Sequence, residues 1–245
     1  MTSRKTLGVL MAAISLVAIL RPISGRARRG DADAGTIKGT IFFQGTKPHL
    51  PEVSMAQDKT CASEQNGAVY PEDGRVNSNG TLPNAFLYVK EGLGNHTYQP
   101  PSTPVTLDQR RCEYEPHVLG IMVGQHLEVV SDDPTTHNIH VTAKENSSWN
   151  VSQQPGAAPL VEHFTHPEIM IPVKCNEHPW MKAYIGVTTN PFYAVSNGDG
   201  TFTIPNLPPG QYTIGAWTAT FGTQEKQVTV AAGQTATADF TFESH

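Results

Sequence analysis

The feature that most narrows the fold is the spacing of apolar residues in "DGTFTIPNLPPGQYTIGAW", Asp199–Trp217. Phe202 and Ile204 alternate with polar neighbours, and so do Tyr212 and Ile214. A period of two belongs to a half-buried strand, whose successive side chains leave opposite faces. Similar short runs recur in "GTIKGTIFFQG" (Gly35–Gly45), "NAFLYVKEG" (Asn84–Gly92), "HVLGIMVGQHLEVVSDD" (His117–Asp133), "HNIHVTA" (His137–Ala143), "EIMIPVK" (Glu168–Lys174), "AYIGVTT" (Ala183–Thr189) and "KQVTVAAGQTATADFTF" (Lys226–Phe242). Gly and Pro, 21 and 19 of 245 residues, punctuate the runs, and beyond the N-terminus no window carries a helical stripe. The expected class is all-β. Thr46–Pro83 and Lys144–Pro159 read as loops, and Tyr98–Pro104 as a linker. The Pro-Pro-Gly turn at 208–210 reads as a hairpin connection.

The N-terminus predicts export. "MTSRK" is a basic start, and Leu7–Leu20 is an apolar run too short for a comfortable membrane span. Residues 1–34 form the signal peptide, or alternatively an uncleaved anchor. They hold six Lys or Arg and two Asp, a net +4, so the chain's −5 leaves the body at −9. An acidic body argues against nucleic acid as a partner and permits steering toward a basic one. In a periplasmic or extracellular setting cysteines tend to pair. Three cannot all pair within one chain. The economical reading is a Cys61–Cys112 disulfide and a working Cys175, the alternative being that Cys61 and Cys112 are buried thiols.

Cys175 lies in "KCNEHPWMKAYIGV", where Cys175, His178 and Met181 follow at three-residue intervals. A thiolate, an imidazole and a thioether suit copper, whose two oxidation states favour sulfur and nitrogen respectively. Zinc has less use for a thioether. One loop cannot surround an ion, so a second imidazole must come from a distant strand. "HNIHVTA" offers His137 and His140. Strand alternation puts His137 on the same face as Ile139 and Val141, toward the core, and makes His140 the alternative.

Together, "PHVLGIMVGQHLEVVSDDPTTHNIH" and "CNEHPWMKAYIGV" resemble the cupredoxins, the plastocyanin/azurin family of Greek-key β-barrels. The His137-Asn138 pair, the Cys175/His178/Met181 order and the Tyr114-x-Pro116 opening carry the resemblance, over roughly residues 105–189. It implies one mononuclear copper site with ligands His137, Cys175, His178 and Met181. The His-to-Met gap is two residues, where plastocyanin-like loops have four. "SNGDGTFTIPNLPPGQYTIGAW" and "VTVAAGQT" resemble a carboxypeptidase regulatory-like or transthyretin-like β-sandwich. Such domains usually begin with strands like those at 35–45 and 84–92. Residues 35–104 and 190–245 are therefore expected to pair into one sandwich with the copper block inserted, the alternative being three sequential β units.

The resemblance implies an exported one-electron carrier, not an enzyme, serving a redox partner such as a c-type cytochrome or a membrane oxidoreductase. The alternatives are a copper-handling protein with the same ligands and a metal-free surface module. His178 is expected at the exposed edge, with Pro179 and Trp180 beside it as the docking patch. The remaining histidines (His49, His96, His117, His126, His163, His166, His245) are expected to be surface or satisfied core groups.

Overall fold

The computed structural model describes residues 33–244, together with Met1. The predicted export segment at Leu7–Leu20 and His245 lie outside the described residues. Among the described residues no helix is long and apolar enough to cross a membrane.

The described residues are all-β apart from one short helix. In chain order, β1 (Gly35–Gln44), α1 (Lys59–Glu64) and β2 (Phe86–Glu91) come first. Nine strands follow: β3 (Val105–Arg110), β4 (Glu113–Glu115), β5 (Val118–Met122), β6 (His126–Ser131), β7 (His137–Val141), β8 (Trp149–Gln153), β9 (Leu160–His163), β10 (Glu168–Lys174) and β11 (Lys182–Thr188). The tail holds β12 (Tyr193–Val195), β13 (Thr201–Leu207), β14 (Gly210–Thr218), β15 (Gly222–Val230), β16 (Thr235–Thr237) and β17 (Phe240–Glu243).

Pairing sorts these strands into two layered units. β1 lies among β13, β16 and β17, and β2 lies between β12 and β14, with β15 beyond. These two sheets enclose a core that includes Ile37, Ile41, Leu87, Phe202, Ile214 and Phe242. β3–β11 pair only with one another, as β4-β3-β6-β9 and β5-β11-β10-β7-β8. Their core includes Leu107, Leu127, Ile139, Ile171 and Ile185. Each such side chain stabilises the fold by about 1.5–3 kcal/mol when fully buried. The chain thus leaves the outer sandwich after β2, builds the inner unit, and returns at β12.

The two units meet through a ring seated on glycine. Gly120 of β5 and Gly186 of β11 are register partners. A Cβ at Gly186 would lie 2.4 Å from Phe86 Cζ, and one at Gly120 would lie 2.9 Å from Phe86 Cε2 and 2.3 Å from Tyr193 Cε2. Only a bare backbone lets Phe86 of β2 reach this sheet, where it packs with Val118 and Met170.

Three sequence expectations are corrected. The 46–83 loop contains α1, whose six residues are too few to show a periodic stripe. The 144–159 loop contains β8, where Asn150, Val151 and Ser152 are all exposed, so no alternation marks it. Pro208–Gly210 is not a hairpin. β13 pairs with β1, whereas β14 pairs with β2 and β15, so the turn arches from one sheet to the other. Proline's fixed φ is incompatible with the type I′ turn that a tight hairpin needs.

Candidate metal centre

His137 opens β7 and is fully buried, while His140, on the opposite face, is half-buried and bonded through Nδ1 to the Asn176 side chain, 3.1 Å away. The connection between β10 and β11 brings in the second group. Lys174 and Lys182 are register partners, so residues 175–181 form a closed loop. The Met181 amide donates to the His178 carbonyl (2.9 Å) and the Cys175 amide to the Met181 carbonyl (3.2 Å). Asn138 pins this loop to β7: its Oδ1 accepts from the Asn176 amide (3.2 Å), and its own amide points at Cys175 Sγ (3.4 Å). Tyr114 Oη, donating to the Asn138 carbonyl at 2.6 Å, fixes the strand from behind.

The structure therefore brings His137, Cys175 and His178 together. Their donor atoms all lie within 4.8 Å of one another, and all three residues are buried. The two Nδ1 atoms are 3.0 Å apart, and Cys175 Sγ is 3.6 Å from His178 Nδ1. Met181 is 1% exposed and packs in the same core as Cys175. His140 is not among the converging groups.

Each imidazole has its other nitrogen on a carboxylate. His137 Nε2 lies 2.7 Å from Asp133 Oδ2, and His178 Nε2 lies 3.0 Å from Asp58 Oδ2. An Nε2–H bonded to a carboxylate fixes the tautomer and leaves the Nδ1 lone pair free for the centre. Both carboxylates are held in turn. Asp133 accepts from the amides of Arg111 and Cys112 (2.5 and 2.7 Å). Asp58 caps α1, accepting from the amides of Thr60 and Cys61 (2.8 and 3.0 Å). Cys61 and Cys112 form a disulfide, 2.01 Å between sulfurs. A single covalent bridge thus joins the helix that Asp58 caps to the segment whose amides hold Asp133.

The charges follow from these contacts. Burial alone would push the Cys175 thiol up, but the His137 imidazole and the amides of Asn138, His178 and Glu177 outweigh it and bring the thiol down to about 7. Burial would likewise pull His137 down, yet the Asp133 carboxylate and the Cys175 sulfur raise it to about 9. Burial would raise the Asp133 carboxyl, but His137 and the two amides hold it below the usual range. Asp58 is lowered chiefly by the Cys61 amide and then by His178. From about pH 7 to about 9 these contacts favour a thiolate beside a protonated His137 in the metal-free cluster, with a proton held where a cation would bring the same compensation. One sulfur and two nitrogens, desolvated and with oriented tautomers, suit a soft-to-borderline ion such as copper.

His178 departs from the sequence expectation. It is 4% exposed, because the 46–72 segment carries Asp58 across its outer nitrogen. Trp180 lies against it, ring centroids 5.2 Å apart, and donates Nε1–H to the Cys112 carbonyl at 2.9 Å. Asp58 and Asp133 were missed by sequence reasoning. Asp133 stands four residues before His137 in "SDDPTTH", a signal in principle. Asp58 reads as an ordinary loop acid unless the short helix it caps is recognised.

Three comparisons bear on this arrangement. A model of the carboxypeptidase regulatory-like domain matches residues 177–243, from the Cys/His/Met loop through β17. No curated protein matches the chain. Among solved structures, the chain is similar to a Cu-containing nitrite reductase from Thermus scotoductus SA-01, at 25% identity over 40% of this chain and TM-score 0.34, and spans only 25% of that protein's length. It is similar to a purple cupredoxin from Nitrosopumilus maritimus at 24% identity, covering 31% of this chain and 82% of that one, with TM-score 0.27. A reduced amicyanin variant is 16% identical, covering 42% of this chain and 98% of that one, with TM-score 0.32. Two likenesses therefore coexist in one all-β chain, one to the carboxypeptidase regulatory-like domain over residues 177–243 and one to cupredoxins over less than half its length.

Proposed function

We infer that His137, Cys175 and His178 would hold a single copper ion, with Met181 as a weaker fourth donor, and that the chain works as an exported one-electron carrier rather than as a catalyst of substrate conversion. The observation that carries this reading is the convergence of one buried sulfur and two buried Nδ1 atoms within 4.8 Å, each imidazole backed by a carboxylate. Copper in such a donor set supplies a one-electron couple. The chain's contribution is to keep the geometry fixed. Asn138 holds the loop to β7, Asp133 and Asp58 hold the imidazoles, and the surrounding core excludes water. A site that does not rearrange between oxidation states exchanges electrons with little reorganisation. The burial of all three donors favours a carrier over a copper-delivery protein, which needs an exchangeable ion.

Export to the periplasm or cell surface is part of the same proposal, supported by the basic-apolar N-terminus and the disulfide. So is a protein redox partner, a c-type cytochrome or a membrane oxidoreductase. The test is the absorption and spin-resonance spectrum of the full chain loaded with one equivalent of Cu(II). An intense sulfur-to-copper band that disappears in Cys175→Ser is expected. A copper complex lacking that band, or no retention of copper after gel filtration, overturns the reading.

A further inference from the structure

Electrons must cross the surface somewhere, and the ring edge of His178 is closed. Its outer nitrogen is used by Asp58 and its side chain is 5% exposed. Besides His137, the ring against that imidazole is that of Trp180. It is half-buried, and together with Pro179 and Met181 it lines a cleft of about 830 Å³.

The lining of that cleft is not electrically balanced. It includes five carboxylates, those of Glu72, Asp73, Asp108, Glu113 and Glu115, against two permanent cations, Arg111 and Lys182. Arg111 pairs with Glu115 at 2.7 Å, and Lys182 reaches Asp73 at 3.6 Å. Glu72, Asp108 and Glu113 make no ion pair among the described residues, although Glu72 accepts a hydrogen bond from the Asn84 side chain. Asp108 Oδ1 is buried without a hydrogen-bond partner. Burial, and then the charge of Glu72, push the Glu113 carboxyl up. The buried Asp108 oxygen adds negative charge behind the cleft, while an incoming cation would meet Glu72 and Glu113 directly. The rim adds an apolar surface through Tyr70, 53% exposed, beside Val53 and Val69.

We propose that Trp180 is the port for electrons, and that the cleft before it docks a redox protein presenting Lys or Arg side chains toward Glu72 and Glu113. This rests on the electron-carrier reading for its purpose, but not for its geometry. The charge excess selects the occupant. A basic partner surface gains from Glu72 and Glu113, and long-range attraction to an acidic body raises its encounter rate.

The experiment uses the full-length protein, metal-free and copper-loaded. Hexaamminechromium(III), a paramagnetic cation, is added while the indole N–H signals of Trp149, Trp180 and Trp217 are followed by NMR. Selective broadening of Trp180, at least several-fold greater than that of Trp149, is expected. It should be lost in the Glu72→Gln/Glu113→Gln variant and reversed by a lysine-rich cytochrome c at low ionic strength. In the copper-loaded protein the same variant should slow electron exchange with that cytochrome several-fold and flatten its salt dependence. Equal broadening of Trp149 and Trp180, or no effect of the variant, overturns the cleft. Broadening that the cytochrome does not reverse makes the cleft a site for free cations and overturns the docking. Failure to bind copper overturns the carrier reading instead, and the metal-free NMR arm still decides the cleft.

Discussion

Replacing both half-cystines, as Cys61→Ala/Cys112→Ala, tests the covalent tie behind the candidate centre. The bridge closes a separation of 51 residues. In the chain-entropy model such a loop restricts the unfolded state by about 4 kcal/mol at 25 °C. That is a large fraction of the roughly 5–15 kcal/mol that holds a typical domain folded. The loss should appear in urea melts of the metal-free protein followed by tryptophan fluorescence, as an earlier midpoint with a steeper slope, because the unbridged unfolded chain exposes more surface. The site should suffer as well, because Asp58 is carried on the segment that Cys61 anchors, and Asp133 leans on the Cys112 amide. Copper should then be extracted by a chelator at least several-fold faster than from the parent protein. A thiol count on the denatured, unreduced parent gives an independent check, with one thiol expected, that of Cys175. Three thiols, or a melt displaced by less than about 1 kcal/mol against the entropy estimate, would refute the argument that this bridge clamps the centre.

Further outcomes follow from single side chains. His137→Gly should open a ligand position that added imidazole refills, as read in the copper spectrum, whereas His140→Gly should leave the spectrum intact because its ring faces Asn176; equal damage from both would contradict the strand geometry. Met181→Leu should retain copper and raise the reduction potential, and Met181→Gln should lower it, since a harder oxygen donor favours Cu(II); voltammetry without a shift in either variant would remove Met181 from the site. In the metal-free protein, the ultraviolet absorbance of the Cys175 thiolate should be half-developed at about pH 7. The thiolate's depressed folded pKa gives stability that is present at alkaline pH and lost as pH falls through about 7. The raised value of His137 gives stability that is present at acid pH and lost as pH rises through about 9. Between those limits the two slopes oppose, so the melt should change little while the remaining half of the absorbance develops.

The sequence made the strands and the converging donors legible for a local reason. Alternation reports which face of a strand is buried, and it points His137 inward with Ile139 and Val141. The spacing of Cys175, His178 and Met181 fits a single loop, which is also a local property. What lay beyond reach was non-local. Nothing in "AQDKTC" says that Asp58 caps a six-residue helix and also meets an imidazole 120 positions later. The exposed edge expected for His178 failed for that reason. The loop does end its strands, but a segment from the outer unit lies over it. The strands flanking Pro208–Pro209 were visible, whereas their division between two sheets was not, because alternation carries no information about which neighbour a strand will choose.

The ring of Phe86 on the Gly120–Gly186 pad bears on how the molecule comes apart. Two cores joined by two strand crossings would ordinarily melt in separate steps. Here a fully buried ring from a strand of the outer sandwich stands on the backbone of the inner sheet. Dismantling the inner sheet would uncover Phe86, and dismantling β2 would strip that ring from the paired glycines Gly120 and Gly186. Each unit therefore depends on the other for part of its dry surface, and the chain should lose structure as one cooperative body rather than shed its inner unit first.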